Sequence, residues 1–387
     1  MKKTLVYLAL ILSLLLALFF FVLPMQLDQR ANKVLAGSYS TASAGATALH
    51  QKLLIADLHC DALLWNRDLL KTNSRGAVDV PRLLAGNVAL QAFTVVSKVP
   101  LGLNLERNTD QKDMISLLAV SQRWPAATWG SLKQRALYQA GKLHEFAAGS
   151  NGQLVLIKTQ QDLRNYLARR RNENHATAGF LGSEGAQVLE GDLDNLDALF
   201  EAGFRMMAPT HFFDTEIGGS AHGLEKGGLT ALGRQWVKKM EEKKMIIDLA
   251  HASPKMIDDV LALATRPLVV SHTGVKGTCD NTRNLSDDHV RRIAQTGGVI
   301  GIGFWETAVC GADARAIAQA IRYTANLAGV EHVGLGSDFD GAVQTPFDAA
   351  HISQLTEALL SEGFSESEIV MIMGGNTLRV LQELLPN

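Results

Sequence analysis

Nine short apolar or β-branched runs, at 53–57, 88–96, 154–157, 178–181, 204–208, 245–249, 267–270, 299–303 and 332–335, punctuate this chain. Amphipathic stretches of helical period separate them, a pattern that calls for a parallel sheet with crossover helices. Sustained over about 330 residues, the alternation predicts an α/β chain folded as a (β/α)8 TIM barrel with one strand to spare. A doubly wound sheet would need two domains. The run 154–157 is the expected surplus strand. Helix signals agree with the pattern. Ser253-Pro254 reads as an N-cap and first helical residue, Ser286 caps DDHVRRIAQT with Gly297 at its end, and Ser365 with Glu368 forms a capping-box pattern before the last helix.

The composition suits a large core: 47% of residues are apolar and 20% charged, which excludes a disordered chain. With 37 basic and 39 acidic residues the net charge is −2, so no nucleic-acid partner is expected, and Arg169, Arg170 and Arg171 read as a solvated helix end. Three cysteines are too few for a disulfide scaffold.

The N-terminus is organised differently. After Lys2 and Lys3 an uncharged run fills 5–23, long enough at about 1.5 Å per residue to cross most of a ~30 Å hydrocarbon core. A cleaved signal has a shorter apolar region followed by small residues, whereas Pro24, Met25 and Gln26 follow here. The expectation is one N-terminal transmembrane helix within 1–27, an uncleaved anchor in preference to a signal segment. A small, polar tether over 28–50 and a barrel domain over 51–387 come next. The two lysines keep the N-terminus cytoplasmic, so the barrel is expected outside, on the periplasmic side of the inner membrane in a bacterium.

Barrel enzymes carry their chemistry where the strands end. The first run ends in Asp57-Leu58-His59-Cys60-Asp61, which puts His59 and Asp61 on one side of an extended chain and Cys60, read as a packed small hydrophobe, on the other. Glu184 follows the fourth run, flanked by glycines. The next three runs lead to His211, His251 and His272, out of 11 histidines in the chain, and the last leads to Asp338. A core histidine satisfied by hydrogen bonds explains one such position but not three. Collected at one mouth, His59, Asp61, Glu184, His251 and His272 suit zinc or a similar divalent ion, and their number implies two ions sharing a carboxylate. A two-metal site lowers the pKa of a bridging water and polarises a carbonyl or phosphoryl group, which is hydrolytic chemistry.

The motifs ADLHCD, GSEGA, APTHF, GLTALGRQWVKKMEEKKMIIDLAHAS, VVSHTG, NTRNLSDD, VGLGSDFDG and GGNTLRVL, in that order, resemble the membrane dipeptidase (renal dipeptidase) family, peptidase family M19 of the amidohydrolase superfamily. The likeness runs from about Leu54 to Leu381. It implies a zinc-dependent dipeptidase with two Zn2+ per chain and a metal-held hydroxide that attacks small dipeptides. His59 and Asp61 would bind the first zinc, Glu184 would bridge, and His251 and His272 would bind the second. His211 would polarise the scissile carbonyl, Arg283 would hold the substrate carboxylate through its planar fork, and Asp338 would anchor the substrate amine or carry the proton to the leaving nitrogen. A homodimer is an expectation from the family alone.

The loop after His211, FFDTEIGGSAHG, departs from the mammalian members and introduces His222, which either touches substrate or is a solvated loop histidine. Cys279 and Cys310 follow neighbouring strands and would be placed to pair in an extracytoplasmic domain. Two other functions stay open at this point: an amide hydrolase of the same superfamily acting on N-acyl amino acids or lactams, and a catalytically silent barrel that binds peptide.

Overall fold

The computed structural model describes residues 2–35, 42–171 and 175–387. Nine parallel strands form one sheet: β1 (Ile55–Asp57), β2 (Val88–Val95), β3 (Leu154–Leu156), β4 (Thr177–Ser183), β5 (Phe204–Met207), β6 (Ile246–Ile247), β7 (Val269–Thr273), β8 (Val299–Ile302) and β9 (Val333–Leu335). Their order is β6-β5-β4-β2-β1-β9-β8-β7. The ring closes just beyond β6, where Asp248 pairs with Val269 and the Leu249 N–H donates to the Val269 carbonyl at 2.8 Å. Eight strands therefore make the barrel. The ninth, β3, pairs with the first half of β4, on residues 177–179, leaving 181–183 to β5.

Parallel strands buried on both faces read as continuous apolar runs, which is why the eight barrel strands were visible in the sequence, while β3, only half-buried at Val155 and Leu156, shows as a shorter apolar run. Ala56, Leu90, Phe180, Met206, Ile246, Val269 and Val299 come from different strands yet pack in one cluster, closed off by Leu378, Leu381 and Leu384 of the helix Asn376–Leu384. That cluster fills the barrel. Burial of each large side chain contributes roughly 1.5–3 kcal/mol. The alternate strand residues, such as Ile55, Phe204 and Met207, pack with the surrounding helices instead.

The helix signals are realised. Ser253 Oγ accepts from the Met256 N–H ahead of Pro254, Ser286 caps Asp287–Gln295, and Ser365 with Glu368 forms the capping box of Glu366–Val370. Gly297, at φ 83°, ends the second of these.

Two expectations need correction. Arg170 is no solvated helix end: it is buried, donating to the carbonyl oxygen and Oδ1 of Asn87 at 3.0 and 2.7 Å and also to the Ala176 carbonyl. The stretches 28–35 and 42–50 also dock on the barrel, unlike a polar tether. Helix Ala44–His50 starts at a Ser43 cap and packs on helix Ser353–Ser361. Asp28 and Asn32 are buried, and Val34 pairs with Thr345. Residues 36–41 lie outside the described residues. Small size and polarity suggested a linker, but the docking is decided by partners far along the chain, which local composition does not reveal. At the N-terminus a helix runs through Lys2–Ala31, long and apolar enough to cross a membrane, as a signal sequence also can be.

Candidate active site

Every candidate side chain emerges at one end of the barrel. His59 and Asp61 leave β1, Glu184 follows β4 directly, His211 follows β5, His251 follows β6, His272 lies within β7 and Asp338 follows β9. All seven are buried. They converge on Glu184, whose Oε1 lies 3.0 Å from His251 Nε2, 3.3 Å from His272 Nε2 and 3.6 Å from His59 Nε2. Its Oε2 lies 3.3 Å from His211 Nε2. His59 Nε2 is also 3.5 Å from Asp61 Oδ1 and 3.9 Å from Asp338 Oδ1.

This convergence is unfavourable for protein atoms alone. The Nε2 atoms of His251 and His272 approach to 3.0 Å, and His59 Nε2 has no hydrogen-bond partner among the described residues. Three carboxylates share the same buried volume, where unpaired charge costs several kcal/mol. The titration shifts express the conflict. Burial opposes protonation of His59, yet the charges of Asp61 and Glu184 win and raise its pKa to about 10. Burial and the neighbouring Asp61 charge hold Glu184 well above the carboxylate range, and burial pushes Asp338 up to about 8. Burial keeps His211, His251 and His272 neutral well below the usual value. Divalent cations would resolve all of this at once. The groups His59–Glu184–His272, Glu184–His211–His251 and His59–Asp61–Asp338 each bring three donor atoms within 4.8 Å of one another. Imidazole and carboxylate donors without a thiolate fit zinc or a close relative.

A second layer, not foreseen from the sequence, sets the ligand orientations. The Ser271 hydroxyl lies 3.2 Å from His59 Nδ1 and 2.9 Å from His272 Nδ1, and a hydroxyl with two lone pairs can accept from both. That arrangement leaves both Nε2 atoms free to ligate. Thr94 Oγ1, at the end of β2, donates to Asp61 Oδ1 at 2.6 Å. The signal for both was position at a strand end, but a hydroxyl there is too common to single out. Gly185, at φ 98°, has the left-handed conformation glycine tolerates, and a Cβ there would fall 2.0 Å from Gln187 Oε1. Gln187 in turn donates to the Glu184 carbonyl at 3.0 Å. His251 and Asp338 hold left-handed φ values of 61° and 58° without being glycine, local strain of the kind that clusters at functional sites.

Arg283 is buried beside this cluster, donating through Nη2 to the His272 carbonyl at 2.7 Å, with its guanidinium 5.8 Å from the Trp305 ring centre. Burial lowers its pKa only to about 10, so it stays charged at neutral pH. His222 is no solvated loop histidine. It is fully buried, its Nδ1 lies 2.6 Å from the Leu105 carbonyl, and its ring centre is 5.3 Å from that of His251. The extended strand rule places Cys60 away from the ligands, and it is buried as a free thiol in the apolar core.

The stretch 43–385 matches the membrane dipeptidase family, peptidase family M19. The chain belongs to this family. As a membrane dipeptidase family member it is a metal-dependent hydrolase acting on dipeptides. It is 34% identical over 217 residues to dipeptidase aclJ of Aspergillus oryzae, covering 54% of this chain and 51% of that one. It is 32% identical over 262 residues to an uncharacterized protein in the pqqA 5′ region of Klebsiella pneumoniae, covering 64% of this chain and 94% of the relative. In fold, it is similar to a metallo peptidase from Rhodobacter sphaeroides liganded with a phosphinate mimic of the dipeptide L-Ala-D-Ala. That structure has a TM-score of 0.70 at 24% identity over 86% of this chain and 99% of the other.

Proposed function

We propose that this membrane dipeptidase family member is a zinc enzyme holding two ions through His59, Asp61, Glu184, His251 and His272, with His211, Arg283 and Asp338 acting on the substrate. The observation that carries the reading is the convergence on Glu184, which lies within 3.6 Å of His59 and within 3.3 Å of both His251 and His272. When bound, such ions supply an acidified water and a Lewis acid for the scissile carbonyl.

The remaining work falls to the protein's own groups. Neutral His211 offers an Nε2–H to the carbonyl oxygen as negative charge grows there. Arg283 commits donors to the His272 carbonyl and Thr273 Oγ1 and keeps the rest of its five for the substrate's terminal carboxylate. Asp338 takes the proton lost by the attacking water and passes it to the leaving nitrogen. The carbonyl of Leu105 can only accept, so His222 Nδ1 carries the proton, and its Nε2, without a hydrogen-bond partner among the described residues, presents a lone pair. A burial-lowered pKa of about 4 keeps His222 neutral, which suits an acceptor for a substrate N–H or ammonium. The phosphinate mimic bound by the Rhodobacter sphaeroides enzyme makes dipeptides with a C-terminal D-residue the first to try.

The N-terminal helix anchors the enzyme with the barrel on the outer side of the membrane. The Cys279–Cys310 disulfide supports an oxidising compartment. Metal analysis of the purified chain is expected to return about two zinc equivalents, with chelator-sensitive cleavage of simple dipeptides. Metal without dipeptide cleavage would move the reading to another amide substrate. Glu184→Gln is expected to lower kcat/KM at least about 100-fold, or about 2.7 kcal/mol, with an unchanged circular dichroism spectrum. Full activity in that variant would refute the metal assignment.

A further inference from the structure

The N-terminal helix does not swing free of the barrel. Asp28 Oδ2 accepts from Arg75 Nε at 2.7 Å and lies 3.3 Å from Arg67 Nε, while Asn32 Oδ1 accepts from the Ala342 N–H at 2.9 Å. Leu35 and Lys33 exchange backbone hydrogen bonds with Thr345 at 2.9 and 3.2 Å. The loop that receives them follows β9 and carries Asp338, so the helix is clamped to the catalytic end of the barrel.

Contact continues up into the apolar run itself. Leu27 and Ala31 pack on the apolar cluster that holds Trp65, Ile115, Leu118 and Trp124, Pro24 is buried, and the Arg123 guanidinium lies 4.6 Å from the centre of the Phe21 ring. Helix Met114–Ser121 packs against both Leu18–Val22 and Leu23–Ala31. If 5–23 spans the bilayer, residues 18–22 lie in its outer edge, and whatever touches them sits at that depth.

The barrel surface beside this helix exposes several large apolar side chains. Ile115, Leu118 and Ala119 face inward, whereas Met114 and Leu117, three apart on the other face of the same helix, are exposed, Leu117 by 49%. Leu101, 61% exposed, and Leu103 project from the hairpin 99–113 that leads into this helix, where Pro100 pairs with Asp113. Trp129 is 48% exposed and satisfies its indole N–H on the Trp124 carbonyl. Exposed Lys112 and Arg123 flank the group, and the tip of the hairpin adds exposed Glu106, Arg107 and Asp110. Apolar side chains with a tryptophan and basic residues at the rim match the chemistry of a membrane–water interface.

We propose that Leu101, Leu103, Met114, Leu117 and Trp129 form a lipid-docking face that dips into the outer leaflet beside the anchor and holds the catalytic mouth against the bilayer. The occupant is the lipid surface because the face is continuous with the spanning helix. The inference rests on reading that helix as a membrane span.

The test uses the full chain in phosphatidylcholine–phosphatidylglycerol nanodiscs. Cys60 is buried and the other two cysteines are paired, so a nitroxide attaches only where a thiol is introduced. Labels at Leu101→Cys and Leu117→Cys are expected to collide several-fold more with oxygen, and less with a water-soluble nickel chelate, than a label at Asn151→Cys in the turn before β3 at the opposite end. A label at Leu12→Cys reports the span. Lipid contact at 12 with water-like readings at 101 and 117 overturns the docking alone, and water-like readings at all three overturn the span as well. Dipolar broadening at 117 without oxygen preference would mean that a second copy covers the face, and would also overturn the proposal.

Discussion

His50 illustrates at the residue scale how a histidine far from the mouth differs from those within it. Its Nδ1 lies 2.9 Å from Thr356 Oγ1 and its Nε2 3.0 Å from the Gly86 carbonyl. The carbonyl takes the Nε2–H and leaves Nδ1 to accept from the hydroxyl, a pattern that satisfies the neutral ring completely. Burial lowers its pKa below 6.5, with the Gly86 bond partly opposing. The unfolded chain therefore takes up the proton first as pH falls. The contribution is complete above about pH 6.5 and is lost below it. Thermal melts between about pH 7.5 and 5 should show wild type losing more melting temperature than His50→Gln, and parallel losses would refute this account. The mouth histidines could be told from His50 in the sequence because they sit at successive strand ends. Ser271 and Thr94 could not, because their importance lies only in the side chains they meet.

At the scale of elements, the loop after β9 joins the catalytic mouth to the N-terminal helix. Asp340 accepts from the N–H groups of Ala77 and Val78 at 2.7 and 3.2 Å and lies 2.9 Å from Arg67 Nη2. Arg67 in turn reaches Asp28, and Gly76 at φ 75° leaves room for its guanidinium, since a Cβ there would fall 1.7 Å from Nη1. The Arg67 side chain is fully buried. Arg67→Met would leave two buried carboxylates short of a counter-charge, so a loss of about 3–5 kcal/mol is expected in urea titration. A loss under about 1 kcal/mol would mean that Arg75 and the backbone N–H groups suffice. The strands were legible as apolar runs, but their ends were not. The run 245–249 yields only Ile246–Ile247 as β6, because Asp248 turns its carboxylate to the N–H groups of Ala250 and Ser271 at 3.0 and 2.8 Å.

For the whole molecule, the clustered carboxylates and imidazoles make folding and metal binding interdependent. A chelator is expected to lower the melting temperature and added zinc to restore it, since a ligand bound only by the native state stabilises it by mass action. An unchanged melt would show that no divalent ion is held. The alternation of apolar runs with amphipathic stretches determined the barrel by itself, because a parallel strand buried on both faces and a one-sided helix have distinct periodicities. Placement of histidines and carboxylates at the run ends likewise determined which residues meet, since a closed barrel brings every strand end to one rim. Only the tertiary structure decided what surrounds them: the Ser271 hydroxyl between two rings, His222 drawn in from its loop, Arg170 buried, and the segment 28–35 docked on the loop that carries Asp338. Each of those outcomes depends on a partner distant along the chain, and contacts of that kind leave no local pattern to read.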